Sequence, residues 1–300
     1  MTGSGGNVII DTDPGLDDAV AILFALNCGR FKVLGLTSVA GNIGIDVTTR
    51  NAGRLLALLG RSDIPVVSGA ASPLQRAGID EAAIHGNDGL GGVDLPEPVA
   101  VTPGYAPYWM AEQLRANPFG KIDILALGPL TNIALLVRDH ADAAARIRRL
   151  IVMGGVLRDK GNVGPHSEFN FASDPEAVRM VLGAELDITI VPLDVTRKVR
   201  ASADYLTMLR NGSIPSGAAA DLLAAYFKQG QESRPLHDPC VMAFALAPKL
   251  FRGEQHRLSV DVSAGPDAGA LLADAGARPV TVLTDVDAAG VLALLGQGLG

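Results

Sequence analysis

Three hundred residues, 48% hydrophobic and 19% charged, describe a globular chain with a sizeable core and exclude a disordered one. A net charge of −7 argues against nucleic acid or an anionic membrane surface as the main partner. Two cysteines, Cys28 and Cys240, with no CxxC, exclude a disulfide framework and fit a reducing compartment.

The opening MTGSGG lacks the basic and apolar regions of a signal peptide, and no apolar run reaches the ~18 residues of a membrane span. The cytoplasm is the expected compartment. The glycine-rich residues 3–6 precede the first strand, the wrong side for a dinucleotide fingerprint.

That strand is predicted over residues 8–13 and runs into DTDPGLDD, which places Asp11, Asp13, Asp17 and Asp18 within eight residues. Capping of the helix predicted over 18–27 and a Pro-Gly turn account for one or two of these acids. Four carboxylates this close raise one another's pKa unless a cation neutralises them. Hard divalent cations take oxygen ligands of this kind, and ligands of open α/β sheets bind outside the carboxyl ends of the strands. The first strand therefore ends in a candidate metal and active site.

A strand at 32–40, a helix at 47–59 and a strand at 65–69 follow. The Gly/Pro-rich stretch 69–104 reads as a long loop, which in a compact domain is often functional. It carries His85 in HGNDG, either an active-site contributor or a solvent-exposed turn residue. A helix at 105–116 leads to a strand at 122–127, followed by GPLTN. Thr131 is a fair N-cap for a helix at 131–138, and a carbonyl at this strand end is either free for a cation or part of an ordinary turn.

The strand at 150–153 passes into GNVGPHSEFN, where Asn162, His166, Glu168 and Asn170 offer groups suited to a polyhydroxylated ligand, or simply a solvated loop. Asp174-Pro175 starts a helix at 175–182. After a strand at 188–193, residues 202–230 read as two helices broken at 212–215. Asp238 is a candidate N-cap for a helix at 238–246, and His237 before it could serve as a general acid. Strands at 258–262 and 280–284 are the last two. This βαβα rhythm, in strands without strict alternation, predicts an α/β fold with a mostly parallel central sheet flanked by helices. It is read as a single domain over 1–300, with a helical insertion at about 200–250 over the carboxyl edge of the sheet. No P-loop, HExxH or GxSxG elbow is found.

The motifs occur in one order: DTDPGLDDAVAI, VAGN at 39–42, HGNDGL at 85–90, GPLTNIA at 128–134, MGG at 153–155, EFNFASDPEA at 168–177 and HD at 237–238. Together they resemble the nucleoside hydrolases, in particular the inosine–uridine-preferring branch, over about residues 7–290. The resemblance implies hydrolysis of the N-glycosidic bond of ribonucleosides to ribose and free base, a salvage reaction, by a calcium-bound water. It implies Asp13, Asp18, the Leu127 carbonyl and Asp238 as Ca²⁺ ligands, with Asp13 also the general base. Asp17, Asn42, Asn162, Glu168 and Asn170 match residues that grip the ribose. His237 matches the acid that protonates the leaving base, His85 a second histidine near it, and Asp11 a supporting residue. A homodimer or homotetramer is also implied.

Such a mechanism is physically coherent, because an oxocarbenium-like transition state is stabilised by acids beneath the sugar. The segment 228–236, KQGQESRPL, is short for pyrimidine-favouring members, and aromatics make up only 4% of the chain. The base preference is therefore open between purine and pyrimidine, with His85, Tyr226, Phe227 and His237 the candidate base contacts, and Tyr226 and Phe227 equally readable as core. Two alternatives remain: a metal-dependent phosphohydrolase, for which the matched loops lack Lys and Arg, and a non-catalytic nucleoside- or ribose-binding protein.

Overall fold

A computed structural model describes residues 6–79, 81–227 and 232–300. Residues 3–5 and 228–231, part of two stretches considered above, lie outside the described residues.

The first half of the chain alternates as expected: β1 (Asn7–Thr12), α1 (Leu16–Asn27), β2 (Lys32–Ser38), α2 (Ile45–Leu58), β3 (Val66–Ser68), α3 (Ala82–His85), α4 (Ala106–Ala116), β4 (Ile122–Ala126), α5 (Thr131–Asp139), α6 (Ala141–Ala144) and β5 (Ile147–Met153). The second half has α7 (Phe169–Ser173), α8 (Pro175–Leu182), β6 (Ile188–Val191), α9 (Leu193–Thr196), β7 (Arg200–Ser202), α10 (Ala203–Arg210), α11 (Ile214–Tyr226), β8 (Ser233–Pro235), α12 (Asp238–Leu246), β9 (Phe251–Val260), β10 (Leu271–Ala273), β11 (Pro279–Val286) and α13 (Ala288–Leu299).

Nine strands form one sheet in the order β10-β9-β11-β6-β5-β4-β1-β2-β3. From β11 to β3 every neighbour is parallel, while β9 and β10 are antiparallel additions at one edge. The strands carry apolar side chains at successive positions because both faces are covered. Val8 and Ile10 join one core with Leu125, Ile151 and helices α1, α11 and α12, and Ile9 joins the other with Ile124, Leu150 and helices α4, α5 and α8. β1 lies between β2 and β4, so the chain runs outward from β1 on one side and is rejoined by β4 on the other. That reversal opens a crevice at the carboxyl end of β1, where Asp11, Thr12 and Asp13 stand. At the opposite end of the sheet the buried Asp123 receives the guanidinium groups of both Arg148 and Arg149 and ties β4 to β5.

Several expectations are corrected. Three strands, not two, follow α12, and β9 begins at Phe251, seven residues before its apolar part Leu258–Val260, because its first half is exposed and polar and carries no core signal. The stretch 69–104 contains α3. α13, β7 and β8 were not anticipated, β7 and β8 because strands of three residues show no periodicity. Thr131 is the first residue of α5 and not its cap, and its hydroxyl donates to Asp174. His237, not Asp238, occupies the N-cap of α12. Among the described residues no helix is long and apolar enough to cross a membrane.

Candidate functional site

At the carboxyl edge lies a cleft of about 470 Å³. Its floor is acidic. Because α1 starts immediately after Pro14-Gly15, Asp17 and Asp18 fall in its first turn, where the helix dipole favours negative charge. Asp18 accepts the Thr12 hydroxyl at 2.7 Å and the Gly15 N–H at 3.1 Å. Asp238, the first residue of α12, arrives from more than two hundred residues away, since α12 packs on α1. Asp17, Asp18 and Asp238 each offer a carboxylate oxygen, and the three oxygens lie within 4.8 Å of one another.

Asp13 sits beneath this group, 1% exposed. Its Oδ2 accepts the Asn42 N–H at 2.6 Å, while its buried Oδ1 has no hydrogen-bond partner among the described residues. A Cβ at Gly41 or at Gly128 would overlap the Asp13 carboxylate, which accounts for glycine in both the VAGN and the GPLTN motifs. Burial, and after it the neighbouring Asp18, pushes Asp13 well above the usual carboxylate range. Burial and the charges of Asp17, Asp18 and Asp13 do the same to Asp238, and burial and Asp17 raise Asp18. Asp11, deeper still, accepts from Thr37 and Asn132, and burial lifts it to about 7.

Only oxygen donors meet here, they repel one another, and among the described residues one oxygen each of Asp11 and Asp13 is left unpaired. That donor set fits a hard divalent cation such as Ca²⁺ or Mg²⁺, and no cysteine or histidine joins it to favour a softer metal. The ligand set implied by the motifs differs from this cluster in two carboxylates: Asp17, expected to hold the sugar, is as close to Asp18 and Asp238 as a cation ligand would be, and Asp13, expected as a ligand, is not among the three. The Leu127 carbonyl lines the cleft and accepts the Asn170 Nδ2–H at 2.6 Å, which leaves it one lone pair.

The wall beside the floor carries amides. Asn42 donates its Nδ2 to Asp18 and to the Asp13 carbonyl, both at 3.1 Å, and keeps Oδ1 for the cleft. Asn170 donates to the Leu127 and Met153 carbonyls, joining the ends of β4 and β5. Asn162 accepts the Phe169 N–H through Oδ1 and keeps Nδ2. Glu168 caps α7 by accepting the N–H groups of Asn170 and Phe171, and a third from Gly155 at 2.9 Å. Burial outweighs these bonds and lifts Glu168 to about 7. The predicted His166 is not part of this wall. It is exposed and paired with Asp267 at 2.9 Å, because the loop turns it away from the strand ends.

Rings complete the lining. The His85 Nδ1 accepts the Leu16 N–H at 3.0 Å. A backbone N–H can only donate, so Nδ1 is unprotonated and the proton of the neutral ring is on Nε2. Burial lowers the pKa of His85 and keeps it neutral. Tyr226 stacks on His85 with centroids 6.0 Å apart, and Arg234 lies over the Tyr226 ring at 4.0 Å. Tyr226 thus belongs to the core and also lines the cleft, and Phe227 packs against that core. The His237 N–H donates to Asp17 at 3.1 Å, and burial lowers the pKa of its ring. The sequence reading missed Glu81, Ile84, Met153 and Phe169 as wall residues. Met153 and Phe169 stand within motifs already noted, whereas nothing local marks Glu81 or Ile84.

A family model described as inosine-uridine preferring nucleoside hydrolase matches residues 8–293. The chain is 38% identical to the pyrimidine-specific ribonucleoside hydrolase RihA of Shewanella woodyi, over 97% of each chain. Its fold superposes on a plant nucleoside hydrolase, PpNRh1, with a TM-score of 0.91 and 32% identity, covering 98% of this chain and 99% of that one. It superposes equally on a purine-preferring ribonucleoside hydrolase from Gardnerella vaginalis, with a TM-score of 0.91, 25% identity and 98% of each chain covered. Motifs, fold and full-length similarity agree, and the chain belongs to the inosine-uridine preferring nucleoside hydrolase family.

Proposed function

We propose that this nucleoside hydrolase cleaves the C1′–N bond of ribonucleosides with a Ca²⁺ ion at the floor of the cleft. Asp13, Asp18, Asp238 and the Leu127 carbonyl would hold the ion, with Asp17 at its rim. When bound, the ion supplies positive charge that offsets the repulsion among these acids and lowers the pKa of a water molecule. The observation that carries this reading is the make-up of one cleft: carboxylates crowded together and mutually repelling, amides beside them, and two histidines with a tyrosine in the same lining.

Each layer has work to do on a nucleoside. The unpaired Asp13 Oδ1 can take the proton of the attacking water. Asp17, Asn42, Asn162, Glu168 and Asn170 orient the ribose hydroxyls, and orientation supplies much of the rate in such reactions. The carboxylates below the ring stabilise the positive charge that builds on the sugar as the bond breaks. His237 gives the departing base its proton, and the Nε2–H of His85 donates a hydrogen bond to it. The whole chain, residues 1–300, acts as one unit, in which the segment at about 200–250 closes the cleft by delivering His237 and Asp238. The reading extends to a cytoplasmic homodimer or homotetramer, which sedimentation velocity tests. A phosphohydrolase would want cations around its substrate, and among the described residues no Lys or Arg lines the cleft.

The test is release of ribose from inosine, uridine, guanosine and cytidine, with calcium and with EDTA. Release from at least one nucleoside, abolished by EDTA and restored by calcium, is expected. No ribose from any of them in the presence of calcium refutes the activity. Purine and pyrimidine substrates are both needed, because the similar proteins differ in the preference their names carry.

A further inference from the structure

Thr196, the last residue of α9, is fully buried, and its Oγ1 lies 2.7 Å from the His237 Nδ1. Among the described residues that ring nitrogen is the only hydrogen-bond partner of the hydroxyl. A buried hydroxyl must place its single proton on an acceptor. In the neutral ring the Thr196 O–H therefore donates to Nδ1, and the ring proton resides on Nε2. Nε2 then carries the proton, and with Nδ1 engaged it is the nitrogen left for the cleft that His237 lines. The helix bearing Thr196 is itself anchored. Asp194 accepts the N–H groups of Leu157, Arg158 and Asp159, and Arg197 holds the Asp159 carboxylate and the Gly161 carbonyl. α9 thus braces both His237 and the loop that carries Asn162.

We propose that Thr196 is a positioning residue for the reaction, holding the His237 ring so that a protonated Nε2 is aimed at the leaving base. This rests on the hydrolase reading above. As the C1′–N bond breaks, its electron pair leaves with the base, and the Nε2–H of His237 is the proton aimed at that developing lone pair. Among the described residues the Thr196 hydroxyl makes no hydrogen bond to a floor carboxylate, so its effect is confined to leaving-group departure.

The experiment compares wild type, Thr196→Val and Thr196→Ser on a natural nucleoside that the wild type hydrolyses and on p-nitrophenyl riboside, whose leaving group needs no proton. Valine keeps the shape and removes the hydroxyl, whereas serine keeps the hydroxyl. Thr196→Val is expected to lose about tenfold to a hundredfold in kcat on the nucleoside, within the usual range for general acid catalysis. Its KM should be nearly unchanged, its rate on the nitrophenyl riboside within about twofold, and Thr196→Ser should recover most of the loss. Equal losses on both substrates, or no rescue by serine, would reduce Thr196 to packing and overturn the proposal. Nitrogen-15 spectra of the wild-type imidazole give an answer that needs no variant. The neutral His237 ring should carry its proton on Nε2, and a proton on Nδ1 overturns the proposal even if Thr196→Val fails to fold. Hydrolysis by the wild type with an unaffected Thr196→Val variant would sink this inference alone, whereas a wild type inactive on every nucleoside sinks the parent reading.

Discussion

Replacing Glu168 by glutamine separates burial from hydrogen bonding in the cleft wall. Glu168 is buried and accepts three backbone N–H groups, yet its pKa stands at about 7 against an ordinary 4.5, chiefly because burial penalises the charged form. The sign follows from proton binding. Between pH 4.5 and about 7 the folded chain keeps a proton that the unfolded chain has released, so stability falls as pH rises through that window. At about 1.4 kcal/mol per pH unit, the loss is on the order of 3 kcal/mol by the time the group is ionised. Glutamine cannot titrate and has no such slope. Its amide Nε2 instead confronts one or two of the three N–H donors, at a cost of about 1–3 kcal/mol that is independent of pH. Wild type should therefore be the more stable protein at pH 5, and the gap should narrow by about 3 kcal/mol on the way to pH 8. Equilibrium urea unfolding of both proteins in EDTA across that range measures it. A gap that stays constant with pH would show that burial does not dominate at Glu168.

Calcium added to the EDTA-treated protein should raise its melting temperature, by an amount equivalent to about 2.7 kcal/mol at a hundredfold excess over Kd. The rise should be larger at pH 8 than at pH 5, because Asp13, Asp18 and Asp238, raised by burial and by one another, hold protons at the lower pH and compete with the ion. Thermal melts at the two pH values decide this, and an identical shift at both would contradict the assigned cluster. Replacing His237 by alanine should cost roughly 10²–10⁴-fold in kcat on inosine but far less on p-nitrophenyl riboside, as steady-state kinetics would show. Equal losses would remove His237 from the acid role.

Much of the site was legible along the chain because its parts stand at strand ends, and strand ends are local features. Burial on both faces makes the carboxyl halves of β1, β4 and β5 apolar, so the residues at which those runs stop, Asp11, Gly128 and Gly154, mark the carboxyl edge. The crowding of four acids at the first of those ends already demanded a cation, whatever the rest of the chain did. Glycine at positions 41 and 128 was visible too, although only the structure shows that the space belongs to Asp13.

What the tertiary structure decided concerns partners far apart in sequence. Packing of α12 on α1 brings Asp238 to Asp17 and Asp18 and sets the His237 N–H on Asp17. Stacking on His85 makes Tyr226, a core residue, a wall of the cleft as well, while the fold of the 157–167 loop sends His166 away to Asp267. The Thr196–His237 bond joins residues 41 positions apart through a short helix that no periodicity announces. Charge, apolarity and turn chemistry act between neighbours along the chain and so can be read from it. The pairing of hydrogen bonds and the depth of burial depend on which surfaces meet, and for this protein they determine what each carboxylate and each histidine is able to do.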